Sequence, residues 1–170
     1  MQVISKAILG SVLLLFTMKA NLFAQGQFAG AKTKALIGKK YNNDRVLPGL
    51  PDYEYRQVTL ASDENASEQY AVGIFQKGPT YVVFFGINDD TTSDHYTILD
   101  IMVVKQVKKT QEVKALLCRN NKKSNAEIVA VTETGKKEFL PALRAWRFNH
   151  DKRRFEIMDS KGIDCMNEGD

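Results

Sequence analysis

The chain has little of what most catalytic and metal-binding proteins use. In 170 residues there are two histidines, two cysteines and one tryptophan. Two histidines exclude a multi-histidine metal site. There is no Gly-x-Ser-x-Gly elbow, no His-Glu-x-x-His and no Cys-x-x-Cys, and Gly38-Lys39-Lys40 lacks the spacing and the Ser or Thr of a phosphate-binding loop. Asp63, Glu64 and Glu68 cluster in a polar stretch where nothing would shift a carboxyl pKa, so paired-carboxylate chemistry is not expected there. The expectation is a non-catalytic protein with no cofactor.

Long apolar runs are scarce too. After residue 24 the longest is Tyr81 to Phe85, far short of the roughly 20 residues that span a bilayer as a helix. Residues 1–24 read as a cleavable export signal, with Lys6 in a basic flank, a largely apolar run twelve residues long from Ala7 to Met18, and an exit ending on the small Ala24. Leu22 is larger than the usual residue three back from a cut, which loosens the cleavage position but not the signal. No cysteine near the cut can take a lipid. The product expected is periplasmic or secreted, with no stable membrane insertion after cleavage; the alternative is an uncleaved anchor.

Charge of one sign is also lacking. The formal net charge of +4 includes Lys6 and Lys19, and without them 22 basic residues face 20 acidic ones. Lys105, Lys108, Lys109, Lys114, Arg119, Lys122 and Lys123 are the densest basic stretch. They come without the interleaved aromatics of single-strand binders, and lysines at strand ends commonly keep sheet edges apart. A nucleic-acid partner is not expected.

The two cysteines, Cys118 and Cys165, are expected to pair, because an exported compartment is oxidising. Closing a loop of about 47 residues restricts the unfolded chain by about 4 kcal/mol in the chain-entropy account. The rival reading makes Cys118 a nucleophile beside His95 or His150, which requires a thiol that stays reduced.

What the chain does have is strand rhythm. Removal of the leader leaves 146 residues, the size of one domain. Residues 25–53 form a lead-in with scattered glycines, a short helix over Ala31 to Ile37 and a stiff turn at Pro48-Gly49-Leu50-Pro51; they are expected at the surface and partly flexible. Residues 54–170 are expected as one β-rich domain with a tail stapled by the disulfide. Strands are expected at Tyr55–Ala61, Tyr70–Gln76, Tyr81–Ile87, Tyr96–Lys105, Val113–Arg119 and Ala126–Glu133. A later hairpin and the segment of Ile163 and Cys165 complete the set. Tyr81–Ile87 is apolar on both faces, which suits the centre of a sheet. In Tyr96–Lys105, Leu99, Ile101 and Val103 are expected inward and Asp100 outward. Phe139, Leu143 and Trp146 fall at helical spacing, so one or two turns of helix are expected near 136–145, limited by Pro141. The fold class is mainly β with little helix: an antiparallel sandwich or open barrel of about eight short strands.

Three features remain as candidate sites. Trp146 between Arg144 and Arg147 suits a stacking or cation–π platform facing a ligand, although a lone tryptophan in a hairpin is more often core. Asp89, Asp90 and Asp94 gather the oxygens that Ca²⁺ prefers, without the glycine or distal glutamate of a calcium loop, so no metal is expected and a solvated turn is the better reading. Asn65-Ala66-Ser67 fits the N-glycosylation pattern. The function expected is an exported binding domain for a protein or envelope component. The alternatives are a structural or assembly role in the envelope, and a hydrolase whose residues come from separate loops.

Overall fold

The computed structural model of the chain describes residues 29–42, 45–61, 69–88 and 95–167. The expected leader at 1–24, the Asn65 triplet, the Asp63 cluster and the Asp89, Asp90 and Asp94 loop lie outside those residues. In chain order the elements are α1 (Ala31–Lys34), β1 (Lys40–Tyr41), β2 (Glu54–Ala61), β3 (Gln69–Lys77), β4 (Thr80–Asn88), β5 (Tyr96–Val104) and β6 (Gln111–Ala115). They continue with β7 (Cys118–Asn120), β8 (Lys123–Ser124), β9 (Ile128–Glu133), β10 (Phe139–Asn149), β11 (Arg154–Met158) and β12 (Ile163–Met166). The fold is mainly β, and every strand pairing among the described residues is antiparallel.

The run Tyr81–Phe85 does what its two apolar faces imply. It lies in β4, the middle strand of a sheet ordered β1-β5-β4-β3-β2. Tyr81, Val83, Phe85 and Ile87 face the second sheet, while Val82 and Phe84 point the other way. Period-two alternation thus serves two apolar layers at once.

The outward layer is covered by the N-terminal segment. Leu36, Tyr41 and Leu47 are buried against Phe75, Val82 and Phe84, with the Tyr41 ring edge-on to Phe75. Backbone bonds between Gly38, Lys39 and Ile98 continue the pairing of β1 along β5. The turn expected at Pro48-Gly49 forms, with Leu50 N–H donating to the Leu47 carbonyl and Gly49 at φ +73°, where only glycine sits without strain. Residues 29–53, expected at the surface, therefore bury part of their side chains.

The second sheet runs β6-β9-β10-β12-β7-β8, with β11 also on β10. β9 alternates: Val129 and Val131 enter the layer between the sheets, and Ile128 and Ala130 pack outward with Ala145, Ile163, Cys118 and Cys165. The β12 and β7 end curls over that outer face and encloses a second small core. Cys118 and Cys165 are direct cross-strand neighbours and form a disulfide, so both are oxidised and the Cys118 nucleophile reading does not hold.

Two expectations fail. No helix forms near 136–145: the segment is the start of β10, where Pro141 sits opposite Asp164 of β12. A register shift between Ala142 and Arg144 adds a residue, so Ala142 and Ala145, three apart, pack on the same side. That spacing imitates a helix. In β5 a second shift lies opposite Phe85 and Gly86. It turns Leu99, Met102 and Val104 toward the second sheet, while Ile98 and Ile101 face the N-terminal cover. Asp100 alternates regularly with Met102 and Val104 and, expected outward, faces the second sheet at 1% exposed; both faces of β5 are covered, so the strand has no outward side there.

Candidate functional site

Hairpin β10–β11 positions the aromatic and arginine residues singled out in the sequence. Phe148 pairs with Phe155 and Trp146 with Ile157 on the same face, since the pairs are two residues apart. The Phe pair is fully buried, and Phe148 stacks on Phe85 of the opposite sheet. Trp146 packs against the margin of this core, half-buried, and its cross-strand neighbour Ile157 is 70% exposed. The inter-sheet core thus runs out into solvent along one pair of strands.

At this point β11 leaves β10 and the chain turns through residues 159–162 toward β12. The detour leaves a surface hollow of about 410 Å³ lined by Leu143, Trp146, Ile157, Met158 and Ser160. Leu143, 45% exposed, owes its position to the bulge in β10. Leu143, Trp146 and Ile157 make an apolar patch open to water.

Arg144 borders the patch. Its guanidinium carbon lies 5.8 Å from the Trp146 ring centroid, within cation–π range, and its Nη1 donates to the Lys105 carbonyl at 3.0 Å. Arg144 and Trp146 thus stand as a cation–π pair beside the hollow. Arg147 is not part of it: it lies on the opposite face of β10 across from Glu156, 3.5 Å away.

Glu156 organises that opposite face. It accepts hydrogen bonds from Lys152 Nζ at 2.8 Å, Asn149 Nδ2 at 3.1 Å and Arg154 Nη2 at 3.3 Å. The Lys152 bond foremost, then that of Asn149, holds its carboxyl at about 2, well below the usual range. Three cations around one carboxylate leave this face with net positive charge.

The other sequence candidates are dispersed. Lys114 is buried against Glu112, and Arg119 makes a bidentate pair with Asp164 at 2.7 and 2.8 Å, so these two do not join the exposed lysines as one basic surface. His150 packs edge-on to Tyr70, with Nε2 3.3 Å from Glu127. Among the described residues no group of three or more His, Cys, Asp or Glu is placed to hold a metal ion, and no helix is long and apolar enough to cross a membrane.

Leu143 and Ile157 were missed as site residues. Helical spacing assigned Leu143 to an expected helix, and Ile157 read as one more apolar strand residue; only the pairing of Ile157 with Trp146 shows that both line one hollow. Compared with protein-family models, curated proteins and solved structures, the chain matches none.

Proposed function

We propose that the chain is an exported, non-catalytic domain that binds a protein partner by seating an apolar side chain of that partner between Leu143, Trp146 and Ile157. The observation that carries this reading is the exposure of Ile157 beside Trp146 and Leu143. Contiguous apolar surface on a small domain is characteristic of interaction sites. Tryptophan and arginine are the side chains that most often dominate binding energy at such sites, and Arg144 stands beside Trp146 here. Export is supported by the disulfide, which suits a non-reducing compartment, together with the leader-like residues 1–24.

The test uses the exported chain and its Ile157→Asp variant as baits in extracts of their native compartment, followed by titration of the purified partner. The expected result is a discrete partner whose affinity falls at least tenfold with Ile157→Asp at unchanged melting temperature. Equal capture by both baits overturns the reading. Self-association that Ile157→Asp abolishes also overturns it and favours an assembly role. Intact-mass measurement checks export separately: a mass beginning near Gln25 is expected, and one that retains residues 1–24 contradicts the cleaved leader.

A further inference from the structure

The two sheets are joined on one flank and parted on the other. On the first flank β11 lies against β5, where Phe155 N–H donates to Asp100 Oδ2. On the second, the outer strands are β2, paired with β3, and β6, paired with β9. Between them opens a hollow of about 310 Å³, walled by residues of β2, β3, β4 and β6. Its size lies at the small end of the range for ligand sites, about 300–1,000 Å³.

Three features make this opening more than a gap between sheets. First, Arg56 is the extra residue of a bulge, since Tyr55 pairs with Phe75 and Gln57 with Ile74. In a regular strand Arg56 and Gln57 would point to opposite faces; the bulge lets both line the hollow.

Second, Tyr81 lines the hollow while only 7% exposed as a residue, so its ring is held in the core where it meets the opening. A tyrosine pairs an apolar ring with a polar tip, so at the wall of a hollow the hydroxyl can meet an occupant while the ring stays packed. Burial raises the Tyr81 pKa above its usual value, with Arg56 opposing and Glu112 adding to the shift, so the phenol keeps its proton at neutral pH. It can both donate and accept.

Third, the cations at the hollow are already matched. Lys114, 7% exposed, holds its Nζ 3.0 Å from Glu112 Oε1. Arg56 lies 3.4 Å from Glu54 and donates from Nε to Gln76 Oε1 at 2.7 Å. At the buried Lys114 a charged ligand would have to displace one partner of the pair and leave the other without its counter-charge. A neutral molecule rich in hydroxyls meets no such cost. Each hydroxyl both donates and accepts, so it can bridge a carboxylate, an ammonium, an amide or the phenol, while Ile74 and Val113 offer an apolar wall.

We propose that the opening between β2 and β6 binds a neutral, hydroxyl-rich small molecule of the saccharide class, with the Tyr81 hydroxyl as its anchor. This site is separate from the hollow at Trp146 and does not depend on it.

The test is titration of the disulfide-bonded chain with neutral mono- and disaccharides, followed by amide NMR shifts, with acetate and inorganic phosphate as charged comparators. Saturable shifts at Gln57, Tyr81 and Lys114 are expected with at least one saccharide and with neither anion. Tyr81→Phe, which removes only the hydroxyl, is expected to weaken that binding at least tenfold at unchanged melting temperature. Ile157→Asp is expected to leave it unaltered. Absence of saturable binding across the saccharides, equal affinity in Tyr81→Phe, or preference for acetate or phosphate overturns the proposal.

Discussion

Asp100 and Phe155 are 55 residues apart in the chain, yet the Phe155 backbone N–H donates to Asp100 Oδ2 at 2.6 Å in the buried space between β5 and β11. A carboxylate here accepts from β11, which among the described residues pairs with β10 on one side only. Asp100→Ala leaves that N–H buried without this acceptor, which costs about 2–3 kcal/mol. Asp100→Asn keeps an acceptor oxygen and is expected to cost less than half as much. Urea denaturation of the two variants checks the order; equal losses would show that the bond to Phe155 is not what stabilises this flank.

Gly73 and Phe84 are cross-strand partners on β3 and β4, and the Phe84 ring lies over the glycine where a side chain would otherwise stand. A Cβ at Gly73 runs into that ring, which is fully buried beneath the N-terminal cover. Gly73→Ala is therefore expected to destabilise by about 2–3 kcal/mol, the range of overpacked cores. Phe84→Leu in the Gly73→Ala background makes room and should recover part of the loss. Thermal melts of the single and double variants decide it.

Much of the fold was legible because local pattern and tertiary role coincide. Tyr81–Phe85 has no polar face, so it had to be covered on both sides, and it is. Ile163 and Cys165 share a parity, and both turn inward. Pattern misled where a bulge resets parity or where both faces of a strand are covered. At Ala142–Arg144 the inserted residue mimicked a helix, and in β5 the cover on both faces left Asp100 no outward side. The candidate sites were less legible still. The pairing of Trp146 with Ile157, the extra residue at Arg56 and the meeting of Lys114 and Tyr81 at one hollow arise between strands brought together only by the fold. Residue type at each position carries no trace of them.

The disulfide joins β7 to β12 and closes the small outer core around Ile128, Ala130 and Ala145. Replacing both cysteines by alanine is expected to cost about 2–4 kcal/mol, with the C-terminal strand loosening first. Hydrogen exchange should show Ile163–Met166 losing protection while Tyr81–Ile87 keeps it. Thiol titration of the unfolded, unreduced chain should find no free thiol, and two free thiols would refute the bridge.

Glu156 gives the stability a definite acid limb. Its carboxyl titrates at about 2 in the folded chain, held down mainly by Lys152 and then by Asn149, against 4.5 for the same group unperturbed. The unfolded chain therefore takes up the proton first as pH falls, and each such proton favours unfolding. The stabilisation is complete above about pH 4.5 and is lost progressively toward pH 2. Partial solvent exposure screens these bonds, so the contribution at neutral pH is about 1–2 kcal/mol. Glu156→Gln should lower stability by that amount at pH 7 and flatten the decline between pH 4.5 and 2. Lys152→Met should remove the largest share of the same effect, and Asn149→Ala a smaller one, because the neutral amide contributes a hydrogen bond without a charge. Denaturation midpoints of the three variants across pH 2–7 supply the check. An acid limb that keeps its slope in Glu156→Gln would place the pH dependence on other carboxylates, beginning with Asp164, whose carboxyl the Arg119 guanidinium also holds below its usual value.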